Sequence, residues 1–135
     1  TAAVVQISLN SHTIRYSSAG HPPALHRTAS GDIIEMGFTG SLMGLRANNE
    51  YDDIIVPIFS AGEHFLMYTD GVIESRKGGI DKIFEKERLK DAFLKSGSSS
   101  RDCLHGIINT VFEFTDYSPL EDDMSMVCFR RKGNF

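Results

Sequence analysis

Apolar and polar residues alternate along the first part of the chain. Val5, Ile7 and Leu9 alternate with Gln6, Ser8 and Asn10. A period of two predicts a strand with one face in the core and one in water. Asn10-Ser11-His12-Thr13 is a turn sequence. Ile14 and Tyr16 then alternate with Arg15 and Ser17, so the two strands are expected to form a hairpin. Gly20-His21-Pro22-Pro23 ends the second strand, because proline has no N–H for the ladder. Residues 25–28 and 33–36 predict two more short strands around Ser30-Gly31-Asp32. Ile54-Ile55-Val56 and Phe65-Leu66-Met67-Tyr68 are unbroken apolar runs, as expected of strands covered on both faces. A last strand is predicted over residues 124–130, entered through Glu121-Asp122-Asp123.

Two helices are predicted before that last strand. Leu89, Ala92 and Phe93 recur at i, i+3, i+4 in a segment of Glu and Lys, and Gly97 is placed to stop it. Leu104, Ile107, Ile108, Val111, Phe112 and Thr115 trace one face of a second helix. Ser99 with Asp102 resembles a capping box with Asp in place of Glu or Gln. Gly37, Gly40 and Gly44 are spaced like a phosphate cradle, but the Gly-Lys-Ser/Thr ending of a P-loop is absent. A structural turn is expected there. Strands, then two helices, then a strand predict an α+β fold with helices on one face of a largely antiparallel sheet.

Composition narrows the function classes. A chain of 135 residues fits one domain. With 41% hydrophobic and 24% charged residues it is neither collagen-like nor disordered. A net charge of −4 argues against a nucleic-acid binder or a binder of anionic membranes. No apolar run approaches the roughly 20 residues of a membrane-spanning helix. The first residues show no basic region followed by an apolar one, so no secretory signal is visible. The two cysteines, Cys103 and Cys128, lie far apart in sequence and make neither a disulfide framework nor a zinc ligand set. Ordinary buried thiols in a reducing cytoplasm are expected.

The candidate chemistry is acidic. Asp70 ends one buried strand, and Asp122 and Asp123 begin another. If those strands are antiparallel neighbours, the carboxylates share one edge of the sheet. They would repel one another unless a proton or cation intervened, and a hard divalent cation suits carboxylate oxygens. Gly71 lets the chain turn and leaves room beside Asp70. The same residues also fit a plain Asp-Gly turn and a solvated acidic entry to a strand. Asp52 and Asp53 are expected to be surface residues. His12, His26, His64 and His105 lack ligand spacing and are expected to be structural. Arg76-Lys77-Gly78-Gly79 is expected to be a solvated loop, although it could touch a phosphoprotein.

Four segments in order carry a resemblance. They are Ala19-Gly20-His21-Pro22-Pro23, Met43-Gly44-Leu45, Tyr68-Thr69-Asp70-Gly71-Val72-Ile73-Glu74-Ser75 and Asp122-Asp123-Met124-Ser125-Met126-Val127. Together they resemble the bacterial PPM-type (PP2C-like) serine/threonine phosphatases of the SpoIIE/RsbU group, over essentially the whole chain. Thr1-Ala2-Ala3 also resembles the opening of the corresponding strand. The resemblance implies a PP2C-like β-sandwich flanked by helices. It implies a two-metal site for Mn²⁺ or Mg²⁺, with ligands at Asp70 and Asp122, Asp123 beside the second, and Gly71 near the site. Phosphoserine or phosphothreonine would be hydrolysed by metal-activated water, with no protein nucleophile. His21, inside the first motif, is expected to shape the turn.

The chain departs from the family pattern in two places. The earlier acidic motifs, one of which carries the aspartate bridging the metals, are missing. Residues 1–135 are therefore expected to be the C-terminal part of a single phosphatase domain lacking its N-terminal strands, inactive alone. Ala61-Gly62-Glu63-His64 replaces the usual Pro-Gly-Asp, a change expected to touch only a turn. The expected partner is a phosphorylated protein such as an anti-sigma-factor antagonist, in bacterial signalling. The alternative is a degenerate, non-catalytic module that binds a partner or phosphoprotein. Open sheet edges invite pairing with another chain, a homodimer included.

Overall fold

The structure, a computed structural model, describes residues 1–78 and 82–133. The predicted hairpin is β1 (Ala2–Ser8) against β2 (Thr13–Ala19), antiparallel with Ile7 opposite Ile14. It ends one residue early. Leu9 belongs to the turn, where it is 81% exposed, and His12 takes a left-handed φ of 56° to close it. β5 (Ile54–Val56) adds to the other side of β2, giving a three-stranded sheet in the order β1-β2-β5. The second sheet has four strands in the order β4-β3-β6-β7: β3 (Ala24–Arg27), β4 (Ile33–Met36), β6 (His64–Tyr68) and β7 (Met126–Arg130). All named pairings are antiparallel.

β6 explains why the architecture has three layers. Its alternate side chains serve two cores. Phe65 and Met67 join Ile14, Tyr16, Ala24, Met36 and Val56 between the two sheets. Leu66 and Tyr68 join Leu25, Leu89, Phe93, Ile107 and Val111 between the second sheet and the helices. An apolar run reads as a strand covered on both faces only where both layers exist, and for β6 they do. For β5 they do not: it is an edge strand, and Ile55 is 54% exposed. The outer face of the first sheet, with Val4, Gln6 and Arg15, is exposed.

The helices match their apolar spacing. α2 (Lys86–Lys95) buries Leu89, Ala92 and Phe93. Fully burying a Leu or Phe contributes roughly 1.5–3 kcal/mol each. The helix stops at Ser96, already extended, rather than through Gly97. α3 (Ser100–Phe114) buries Cys103, Ile107 and Val111, and its N-cap is Ser99, whose hydroxyl accepts from the Asp102 N–H at 3.0 Å. The Asp102 carboxylate meets the Ser99 hydroxyl itself at 2.7 Å. A third helix, α1 (Asp70–Ile73), has only one turn and no apolar period to announce it. Among the described residues no helix is long and apolar enough to cross a membrane.

The glycine-spaced loop is a structural turn, tied to the end of β2. Thr39 Oγ1 accepts from the Ser18 N–H at 2.6 Å and donates to the Ser18 carbonyl at 3.0 Å. Gly20 takes a left-handed φ of 67°, and a Cβ there would press on the Leu42 side chain. Two segments that sequence reading kept separate therefore form one loop cluster.

The cysteines are not isolated. Cys103 on α3 and Cys128 on β7 pack in the helix-side core close enough to shift each other's titration. The Cys128 thiol, with a hydrogen bond from Ser96 Oγ at 3.1 Å, holds the Cys103 thiol below its usual range, while Cys128 is pushed up.

Candidate functional site

The register of β6 and β7 builds the acidic end. Tyr68 lies opposite Met126, so the chain leaving β6 and the chain entering β7 run side by side. Thr69 stitches them together. Its N–H donates to the Ser125 carbonyl at 3.0 Å, and its hydroxyl accepts from the Ser125 N–H at 3.0 Å. The same hydroxyl donates to the Asp123 carbonyl at 3.3 Å. Asp70 then opens α1, with its Oδ1 accepting from the Gly71 N–H at 3.1 Å. Asp122 and Asp123 precede β7 in a bend, where Asp122 Oδ1 accepts from the Asp123 N–H at 2.7 Å.

Gly71 is what allows this approach. A Cβ there would lie 2.4 Å from the Asp123 carbonyl oxygen and 3.6 Å from Asp122 Cβ. Contacts under about 3 Å are not tolerated against backbone. Its role is therefore to let the 122–124 backbone close over α1. Ser75 reinforces the closure, donating to the Gly71 carbonyl at 2.7 Å and touching Met124 Sδ at 3.5 Å.

The carboxylates of Asp70, Asp122 and Asp123 are exposed. A cavity of about 270 Å³ opens beside them, lined by Gly71, Glu74, Ser75, Arg76, Glu121 and Asp122. His21 is the unexpected neighbour. Its carbonyl accepts from Ser18 Oγ at 3.2 Å, which is the turn-shaping role expected of it. Its ring also stands near Asp70 and the Tyr68 backbone; burial lowers its pKa, and the Asp70 charge partly offsets this.

Among the described residues no three His, Cys, Asp or Glu side chains converge as a metal would require. The described donors of this end do not by themselves complete a site for Mn²⁺ or Mg²⁺. Two or three exposed carboxylates hold a hydrated divalent ion only weakly.

The other expected residues lie elsewhere. Asp53 pairs with Arg15 on the exposed face of the first sheet, and Asp52 is exposed beside it. Arg76-Lys77-Gly78 is a solvated loop, as expected, whose charges pair at the surface with the loop after α3: Arg76 with Glu121 at 3.3 Å and Lys77 with Asp116 at 2.7 Å. Gly79 lies outside the described residues.

Two buried polar pairs at the opposite end of β6 were missed. His26 Nε2 meets Glu63 Oε2 at 2.8 Å, and the same oxygen accepts from the Ser60 N–H at 3.0 Å. Arg27 Nη2 donates to His64 Nδ1 at 3.1 Å, and His64 Nε2 donates to the Ser98 carbonyl at 3.2 Å. Arg27 also reaches the carbonyls at the end of α2, including Phe93, Ser96 and Gly97. The replacement of Pro-Gly-Asp thus does more than alter a turn, since Glu63 is the buried partner of His26. Opposed positions in antiparallel β3 and β6 would have pointed to the Arg27–His64 pair once that register was known.

Two packed sheets with helices on one side, and acidic loops at one sheet end, are the architecture of PP2C-type phosphatase domains. Solved structures share it. The phosphatase domain of SpoIIE from Bacillus subtilis, presoaked with Mn, superposes with a TM-score of 0.75 at 15% identity, over 99% of this chain and 57% of that one. The SiaA PP2C domain of Pseudomonas aeruginosa gives 0.78 at 18% identity, over 95% and 50%. The RsbU and RsbW domains of a Mycobacterium tuberculosis protein give 0.73 at 24% identity, over 96% and 35%. The chain thus spans little more than half the length of these structures, or less. No curated protein matches it closely. The family model of Stage II sporulation protein E (SpoIIE) matches residues 1–132, and the chain belongs to that family.

Proposed function

We propose that the protein carrying this chain is a metal-dependent protein serine/threonine phosphatase acting in bacterial signalling. Residues 1–135 are the C-terminal part of its phosphatase domain. Asp70 and Asp122 are the ligands this part contributes, with Asp123 beside them. The observation that carries the reading is the β6–β7 register, which brings the two family-matched acidic motifs to one sheet end. Among the described residues no third donor converges there, which agrees with further ligands supplied from outside them. Mn²⁺ or Mg²⁺ suits an all-oxygen donor set. A phosphorylated anti-sigma-factor antagonist is the proposed substrate, and the cytoplasm the proposed location.

The test is release of phosphate from a phosphoserine protein in Mn²⁺, by the chain alone and by the full natural polypeptide. The full polypeptide is expected to turn over and to lose at least about 100-fold activity with Asp70→Asn, as expected when a group stabilising the transition state is removed. The chain alone is expected to show little or none. Robust turnover by the chain alone, abolished by Asp70→Asn, would overturn the claim that it is incomplete. An immunoblot of source cells adds the size of the natural product. A band at about 15.0 kDa, with no activity, supports the second reading: a non-catalytic module that binds a partner.

A further inference from the structure

We propose that the end of the second sheet opposite Asp70 is an oxyanion-binding site, taking a phosphate-type group through Arg130. This does not rest on the phosphatase reading. A cavity of about 460 Å³ opens there between the β3–β4 turn, the end of α2 and the end of β7. Its polar lining includes Arg27, Thr28, His64, Ser96, Ser98 and Arg130, and no carboxylate lines it. The other charged groups around it are committed elsewhere. Arg27 is spent on His64 and on the carbonyls ending α2, so it lends charge but few free donors. Glu63 is bound to His26 and the Ser60 N–H. Exposed Asp32 is held by Ser30 Oγ at 2.6 Å.

Arg130 is the exception. It lies opposite His64 in the β6–β7 register. Its Nε is buried, with no hydrogen-bond partner among the described residues. Among the described residues no hydrogen bond or ion pair fixes the guanidinium, which lines the cavity, so its outer N–H groups are free to take an oxyanion. Arg130 also lines a second cavity of about 410 Å³ on the flank of β7, with Arg131 and Lys132 and again no carboxylate. His64 lies within the field of Arg27 and Arg130. Burial lowers its pKa most, and the charges of these two arginines lower it further.

Inorganic phosphate, titrated into the intact chain in EDTA, tests the site. The readout is the Arg130 Nε–H resonance together with calorimetry. Saturable binding is expected, shifting that resonance and unchanged in Asp70→Asn. Arg130→Gln is expected to weaken it by roughly tenfold or more, the usual scale of a charge-assisted hydrogen bond. Arg130→Lys keeps the charge but loses the fork, and is expected to fall between; it decides the matter should the Gln variant not fold. A phosphoserine peptide distinguishes the sources. Binding tenfold tighter than phosphate identifies a phosphorylated chain as the occupant, and equal or weaker binding identifies free phosphate. No saturation by about 10 mM phosphate, weaker than any useful affinity, overturns the proposal. So does unchanged affinity in Arg130→Gln or, if that variant does not fold, in Arg130→Lys.

Discussion

At one end of β6, Asp70, Asp122 and Asp123 are exposed, and the bonds that shape the site come from backbone, Thr69 and Gly71. At the other end, His26, Glu63, Arg27 and His64 are buried and bonded to one another. The same strand therefore carries charge in two ways. Buried charge spent on internal partners holds the fold, and removing it leaves orphaned groups. Exposed charge held in place by its backbone is available to a ligand and matters little to stability.

The largest effect is expected from Arg27→Ala. It strips the α2 carbonyls and His64 of their donor and removes the guanidinium 4.9 Å above the Phe93 ring. A loss of at least about 3 kcal/mol is expected in urea unfolding, since each buried acceptor left unpaired costs about 1–3 kcal/mol. Gly71→Ala tests the acidic end through its backbone. The added Cβ collides with the Asp123 carbonyl, and a loss of about 1–3 kcal/mol is expected, the usual cost of overpacking. A neutral result would mean the 122–124 segment is not held against α1. Asp70→Asn and Asp122→Asn should each stay within about 0.5 kcal/mol, as for surface changes. A clear loss in either would break the contrast between the two ends.

A smaller effect is expected from acid. Burial and the neighbouring arginines keep His64 neutral in the fold, below its ordinary value of 6.5. As pH falls through 6.5 the unfolded chain takes up a proton that folded His64 resists, so stability is lost on the acid side and is independent of this group above it. His64→Gln should flatten that slope in urea midpoints taken between neutral and acid pH. The slope left over belongs partly to His21, which shifts the same way.

The strands were legible in the sequence because alternation needs only local chemistry. Val5, Ile7, Ile14 and Tyr16 each face inward as their spacing demands. Ile55 was misread because an apolar run does not say whether a second layer covers it, and β5 lies at an edge. α1 was hidden because one turn has no period. Asp70 and Asp122 could be placed together once β6 and β7 were taken as neighbours. The His26–Glu63, Arg27–His64 and Cys103–Cys128 contacts could not, because each joins residues far apart in sequence. Such pairs follow only from the register of β3 on β6 and the seating of α3 on β7.

The opposite signs at the two ends have a consequence for encounters. Arg130, Arg131 and Lys132 crowd one end, and Asp70, Glu121, Asp122 and Asp123 the other. Such a molecule has an electrical axis along β6, and an approaching polyanion feels a torque before it makes any contact. Without added cations it meets the arginines first. Raising the salt shortens the reach of that torque to within about 10 Å at 0.1 M, and the preferred angle of approach fades with it.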